Sequence, residues 1–200
     1  MSSPRIAAGA AIALLAGLLA VQPSTAQAPG AGSAPAQADP ARPGGATDLF
    51  GQEVTLPERQ IVYLKGTANW DSAFETLVDA FKSVHGYLDK EGIKPAGPAL
   101  TVYTQTDDIG FEYQAAVPIA QAPKVAPQGD IALGQAPGGK ALKFVHRGSY
   151  DDMDTTYEAI TNFLDEKRLE AKDIFIEEYL TDPTKTPEDQ LVINIFVPTK

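Results

Sequence analysis

Apolar and polar residues alternate over Gln60 to Lys65 (QIVYLK), with Ile61 and Tyr63 set against Val62 and Leu64, the period-two pattern of a strand. Val54 to Leu56 is a shorter run just before it, and the Pro57-Glu58-Arg59 turn between them predicts a hairpin that ends at Gly66. Past Gly66 the period lengthens. Phe74, Leu77, Val78, Phe81, Val84 and Leu88 recur at helical spacing, Ser72-Ala73-Phe74-Glu75 has the spacing of a capping box, and Gly92 stands just beyond the last turn. Ala99 to Thr104 (ALTVYT) and Phe111 to Val117 (FEYQAAV) then read as strands around the polar turn Gln105 to Gly110.

The second half follows the same order. Ile131 to Leu133, a Pro137-Gly138-Gly139 turn, Leu142 to Arg147, a helix from about Asp151 to Lys167, Ile174 to Leu180 and Leu191 to Val197 succeed one another. Met153, Tyr157, Ile160 and Leu164 mark the buried stripe of that helix. Tyr87 to Thr104 lies over Phe163 to Leu180 without a gap, matching Leu88-Asp89 to Leu164-Asp165 and Tyr103 to Tyr179, and the ends Val117-Pro118 and Val197-Pro198 also correspond. Internal similarity of this kind predicts a pseudo-symmetric fold of two hairpin-helix-hairpin units, about eight strands and two main helices. A cleft between two such halves is a usual place for a ligand.

The first residues have a different character. Arg5 in a short polar start, an apolar run from Ile6 to Val21 and the small residues Ser24-Thr25-Ala26 before Gln27 read as a secretory signal over residues 1–26, cleaved after Ala26. The run is rich in Ala and Gly and short for a membrane span, so no stable membrane insertion is expected after cleavage. No Cys follows it, which excludes a thiol-linked lipid anchor. Residues 27–48 are dominated by Ala, Pro, Gly, Ser and Gln, a composition that cannot bury enough apolar surface to offset ordering, and residues 49–200 have the size of one domain with a core.

Cysteine is absent throughout, which rules out disulfides, thiolate catalysis and Cys-based metal sites. The net charge of −10 becomes −11 without the signal, since Arg5 is its single charge, and Lys and Arg form no cluster. That argues against nucleic acid, which needs a basic face, and agrees with a neutral or cationic ligand or with solubility alone.

HRGSY at His146 to Tyr150, EEYLTDP at Glu177 to Pro183, Thr186-Pro187-Glu188-Asp189 and IFVPT at Ile195 to Thr199 stand in an order and spacing that resemble the GyrI-like small-molecule-binding domain, also called the AraC-type effector-binding domain. The resemblance covers residues 49–200, more strongly in the second half, and implies an α+β fold of two pseudo-symmetric halves enclosing a central ligand cleft. Members of that family bind lipophilic, often cationic compounds as effector modules of regulators or as stand-alone sequestering proteins, and one branch hydrolyses cyclopropane-bearing genotoxins. This chain shows no helix-turn-helix pattern, and its export signal sets it apart from the gyrase inhibitor after which the family is named.

Strand alternation places Phe175, Glu177 and Tyr179 on one face and Ile176, Glu178 and Leu180 on the other, although one bulge would exchange Glu177 and Glu178. The Glu178 side is expected to pack against the helices. By resemblance, Glu177 matches the family's acidic residue that lies in the cleft and faces the ligand's positive charge. Tyr103 and Tyr179 would add ring faces worth about 0.5 to 2 kcal/mol each to a cation. The plainer reading leaves Glu177 solvated on an open sheet face. Trp70, just before the first helix, either walls the pocket or caps a helix core, and Tyr113, with Tyr63 and Phe111, is a further lining candidate. Glu112, on the face opposite Tyr113, is a more remote candidate for ligand charge.

His146 reads as a strand-end residue bonded to backbone, because no second His, Asp or Glu stands at metal-ligand spacing. Asp151-Asp152-Met153-Asp154 lacks the glycine and distal glutamate of a calcium loop and reads as helix-start chemistry. No metal and no cofactor are expected. The site residues are therefore Glu177, Tyr179, Tyr103, Phe175, Trp70 and Tyr113, holding a small hydrophobic or cationic ligand. Hydrolysis of a strained electrophile by the same Glu177 is the rival from another class. A protein-interaction module is the third reading.

Overall fold

The computed structural model describes residues 50–200, so the signal over 1–26, the linker over 27–48 and the first residue of the domain lie outside the described residues. The strands are β1 (Gln52–Leu56), β2 (Arg59–Asn69), β3 (Ala99–Thr106), β4 (Gly110–Pro118), β5 (Ile131–Ala136), β6 (Gly139–Gly148), β7 (Phe175–Tyr179) and β8 (Leu191–Pro198); the helices are α1 (Ala73–Glu91) and α2 (Met153–Lys167). Among the described residues no helix is long and apolar enough to cross a membrane.

All eight strands join one antiparallel sheet in the order β1-β6-β8-β7-β3-β4-β2-β5. If β1 to β4 are matched to β5 to β8, that order reads the same from either edge, with β3 and β7 paired at the centre. In the central ladder Thr101 lies opposite Glu177, Ala99 opposite Tyr179 and Tyr103 opposite Phe175. The chain spacing that separates Thr101 from Glu177 also separates Tyr103 from Tyr179, so the pseudo-twofold axis passes between Thr101 and Glu177.

The strands predicted as the opening hairpin of each half do not pair with each other. β1 pairs instead with β6, Leu56 against Gly139, and β5 pairs with β2, Ala136 against Arg59. Pro57-Glu58 supplies neither of the positive-φ residues that a two-residue hairpin turn demands, so the chain passes across to the other half instead of reversing. The two short connections cross in contact, where a Cβ on Gly138 would sit 2.7 Å from Glu58 Cγ and 3.2 Å from the Leu56 carbonyl oxygen. This crossing draws the sheet edges together and curls the sheet. Inside the curl a second core takes side chains from every strand, among them Ile61, Leu100, Val102, Ile176 and Phe196, with Ala116, Ala136 and Ala141 where space is smallest.

Because strand side chains fill that inner face, both helices pack on the other one, which carries Glu177 and not Glu178. The expectation that Glu178 faces the helices is thus corrected. Glu178 lies in the curl, where Arg59 Nη2 donates to it at 3.0 Å and Asn194 Nδ2 at 3.0 Å. Leu77, Ala80, Phe81, Val84 and Leu88 of α1 are buried against the sheet, while α2 buries only Met153 and Ile160 fully. Ser72 makes no side-chain cap, since a single 3-10 turn, Trp70–Ser72, leads into α1 and replaces the expected capping box. Gly92 ends α1 in the left-handed region at φ 68°, and Arg168 takes the same role after α2 at φ 55°.

Glu178 is therefore a structural carboxylate. Glu178→Ala should lower unfolding free energy by about 1–3 kcal/mol in urea, because it strands the Arg59 guanidinium in the curl, and replacing Arg59 by Met as well should recover part of the loss.

Candidate functional site

Glu177 stands at the middle of the sheet on the helix side and has no solvent exposure. Its partners are phenol hydroxyls. Tyr157 donates to Oε1 at 2.8 Å, while Tyr179 and Tyr103 donate to Oε2 at 2.7 and 3.0 Å. Tyr150 donates to Oε2 at 3.4 Å, and its hydroxyl lies 2.7 Å from that of Tyr103. Thr101 completes the network by donating to the Tyr179 hydroxyl at 3.4 Å.

The elements that bring these groups together follow from the pseudo-symmetry. Tyr103 and Tyr179 are equivalent residues of β3 and β7, and the same chain spacing relates Phe81 to Tyr157 and Phe74 to Tyr150. The ring of Phe74 stacks on Tyr150 at 5.1 Å, and Phe81 meets Tyr179 edge-on at 5.2 Å. Aromatic pairs thus surround the axis, and only the second half and Tyr103 carry hydroxyls to Glu177. Thr101, the counterpart of Glu177, avoids a second carboxylate directly opposite the first.

Burial raises the Glu177 carboxyl above the ordinary value of 4.5, and the hydrogen bonds from Tyr179, Tyr157, Tyr103 and Tyr150 draw back part of that rise. The hydroxyls of Tyr103, Tyr150, Tyr157 and Tyr179 are pushed well above 10, first by desolvation and then by the charge of Glu177. They keep their protons and act as donors.

A cavity of about 530 Å³ opens over this carboxylate, lined by Trp70–Glu75 at the start of α1, Tyr150, Asp151, Met153, Asp154 and Tyr157 at the start of α2, and Tyr103, Glu177 and Glu188. Among the described residues no Lys, Arg or His lines it. Two cavities elsewhere have comparable volume, about 540 Å³ beside the β3–β4 turn and about 670 Å³ beside the Leu180–Lys185 loop, but neither touches Glu177.

Of the residues singled out from sequence, Glu177, Tyr103 and Trp70 line this cavity, and Phe175 stands beside it, opposite Tyr103 in the β3–β7 ladder. Tyr179 serves from behind, as a buried donor and not a wall. Trp70 is 42% exposed, donates its indole N–H to the Asp107 carbonyl at 2.8 Å and packs on Phe111 at 4.6 Å, so it is a wall and not a helix plug. Tyr113 does not belong to the cavity; it is buried against Phe111 and fills the space above Gly66. Tyr63 lies in the curl, against Gly134. Glu112 is exposed and lines only the groove beside the β3–β4 turn. Sequence reasoning missed Tyr150 and Tyr157 as site residues, although the helical stripe already contained Tyr157. His146 is buried, with Nε2 bonded to the Ser149 carbonyl at 2.9 Å and Nδ1 to Thr156 Oγ1 at 2.8 Å, which fits the structural role read from sequence. Among the described residues no cluster could hold a metal ion.

An eight-stranded antiparallel sheet with two helices on one face and a cavity over its centre defines an α+β small-molecule-binding domain. The family model of the GyrI-like small molecule binding domain matches residues 52–200, and the chain belongs to that family. The fold is shared with EcmrR: the C-terminal domain of EcmrR has a TM-score of 0.63 at 14% identity, covering 75% of this chain and 96% of that one. In the EcmrR–DNA complex the TM-score is 0.64 at 15% identity, and the match spans 75% of this chain but only 57% of that longer chain. SAV2435 bound to tetraphenylphosphonium matches at TM-score 0.54 and 17% identity, over 76% of this chain and 94% of that one. No curated protein sequence matches the chain significantly.

The raised carboxyl sets a pH dependence. Below pH 4.5 Glu177 is protonated in both folded and unfolded chains and costs nothing; as pH rises through the window above 4.5 the unfolded chain gives up its proton more readily, so stability falls until the native carboxyl has ionised. Glu177→Gln should remove this decline, so that its melting temperature gains on the parent as pH is raised from 4 to 8. Tyr157→Phe should deepen the decline, because it takes away a bond that favours the charged form.

Proposed function

We propose that this chain is an exported binding protein that sequesters or senses a small hydrophobic or cationic molecule in the cavity over Glu177. One observation carries the reading: a carboxylate without solvent exposure that is held by phenols alone, at the floor of a cavity that no basic side chain lines. Neutral donors relieve part of the desolvation cost of a buried charge, and a cation supplies what they lack. Ring faces of Tyr103, Tyr150, Tyr157 and Trp70 add cation–π attraction. Family membership and the tetraphenylphosphonium bound by SAV2435 support a ligand of this chemistry.

The two halves are read as an internal repeat in which the second supplies the charge. The acidic chain and its lack of a Lys/Arg cluster support the absence of a nucleic-acid partner. The hydrolytic alternative needs a free carboxylate oxygen to take the proton of an attacking water, and both Glu177 oxygens already accept from tyrosine hydroxyls.

Calorimetric titration with tetraphenylphosphonium and the isosteric neutral tetraphenylmethane scaffold carrying a solubilising hydroxyl should show at least tenfold preference for the cation, lost in Glu177→Gln. Equal binding of the two would overturn the counter-charge role. Export rests on the residue pattern of 1–26, and mass analysis of the protein from the extracytoplasmic fraction of a bacterial host should find Gln27 as its first residue.

A further inference from the structure

The four phenols around Glu177 are not equally anchored. Tyr103 and Tyr179 stand on β3 and β7, the paired central strands, and the ladder fixes where their hydroxyls reach. Tyr150 and Tyr157 come from the turn after β6 and from the first turns of α2, a helix that buries only Met153 and Ile160 fully. Gly148, at φ 121°, bends the chain out of β6 just before that turn. Something other than apolar packing has to hold these two hydroxyls at 3.4 and 2.8 Å from the carboxylate.

His146, buried in β6, bonds to the residue before each of them. Nε2 donates to the Ser149 carbonyl at 2.9 Å, and Tyr150 follows Ser149; Nδ1 lies 2.8 Å from Thr156 Oγ1, and Tyr157 follows Thr156. The tautomer is set by chemistry: a carbonyl can only accept, so Nε2 carries the proton and Nδ1 of the neutral ring takes the Thr156 hydroxyl. Thr156 thereby gives its proton across to β6, whereas Thr161, further along the same helix, returns its own to the Tyr157 carbonyl at 3.0 Å. The Ser149 carbonyl also accepts from the Asp152 N–H at 3.0 Å, and the Ser149 hydroxyl donates to Glu188 Oε1 at 3.3 Å. The turn is thus tied at one residue to β6, to the start of α2 and to the segment before β8.

We infer that His146 is a positioning residue: one imidazole sets the places of both Tyr150 and Tyr157, and so governs the strength of the hydrogen bonds that reach Glu177. It touches neither the carboxylate nor the cavity. Bonds from the phenols favour the charged form of Glu177, so a loosened clamp leaves the carboxyl holding its proton more tightly. The role stands whatever occupies the cavity, so it can fail or hold independently of the proposed function, and its test needs no ligand.

The test follows the Glu177 carboxyl itself, by pH titration of the NMR signal of its carboxyl carbon in the full chain isotope-labelled at glutamate, with Glu177→Gln identifying the signal. In His146→Leu the acid dissociation constant of Glu177 should fall about threefold or more, while His146→Gln, which carries a donor and an acceptor but no titrating ring, should leave it at the parent value. Thr156→Val, which removes one bond and keeps the volume, should lower it in the same direction, and Thr156→Ser should not. In a Tyr157→Phe background Thr156→Val should add nothing, since the phenol it positions is gone. If His146→Leu fails to fold, the Thr156 variants decide alone. A Glu177 titration unmoved in both His146→Leu and Thr156→Val overturns the inference even where stability is lost, because it reduces His146 to a packing role. So does a His146→Gln variant that matches His146→Leu, or an effect of Thr156→Val that persists without the Tyr157 hydroxyl.

Discussion

The interaction on which this molecule turns is a buried carboxylate held by neutral hydroxyls. Glu177 sits beside the pseudo-twofold axis of the sheet, buried on the helix side, and among the described residues its negative charge meets hydroxyls and no cation. Bonds from phenols to an ionised acceptor are strong, about 1.5–3 kcal/mol each, yet isolated burial of a carboxylate costs several kcal/mol. The tyrosines lessen the cost without cancelling it, which is why the carboxyl remains harder to ionise than in water.

The adjacent residue shows what the same fold does when a carboxylate is purely structural. Glu178 points into the curl and has the Arg59 guanidinium and the Asn194 amide at 3.0 Å each. One strand thus presents two carboxylates back to back, Glu178 paired with a guanidinium and Glu177 with neutral hydroxyls. The two faces thus treat the same side chain differently, one with a guanidinium and the other with hydroxyls.

Much of this was legible in the residues. The alternation Phe175-Ile176-Glu177-Glu178-Tyr179 separates the two glutamates correctly, and Tyr103 and Tyr179, both singled out from the sequence, each reach Glu177. Periodicity, however, reports which face of an element is apolar and not what lies opposite. Hence the helices were assigned to the Glu178 side, β1 was paired with β2, and Tyr113 was counted as a wall although it fills the space above Gly66. Tyr157 was hidden for a similar reason, since in a helical stripe a tyrosine reads as core until the position of its hydroxyl is known. Pro57-Glu58 did hold a usable signal, because a pair without glycine or asparagine is poor material for a two-residue hairpin.

The sign of the cavity is decided by a competition at its rim. Both helices begin beside it, and a helix amino terminus carries roughly half a positive charge, which by itself would invite an anion. Here Asp71 and Glu75 stand at the start of α1, Asp151 and Asp154 at the start of α2, with Glu188 nearby. About one unit of dipole charge is therefore opposed by several full carboxylates even before Glu177 is counted. Solvent screens the exposed rim groups strongly and the buried floor hardly at all, so Glu177 keeps the stronger local field. The first turns of both helices thus set carboxylates against their own positive ends, and the cavity mouth carries a net negative charge.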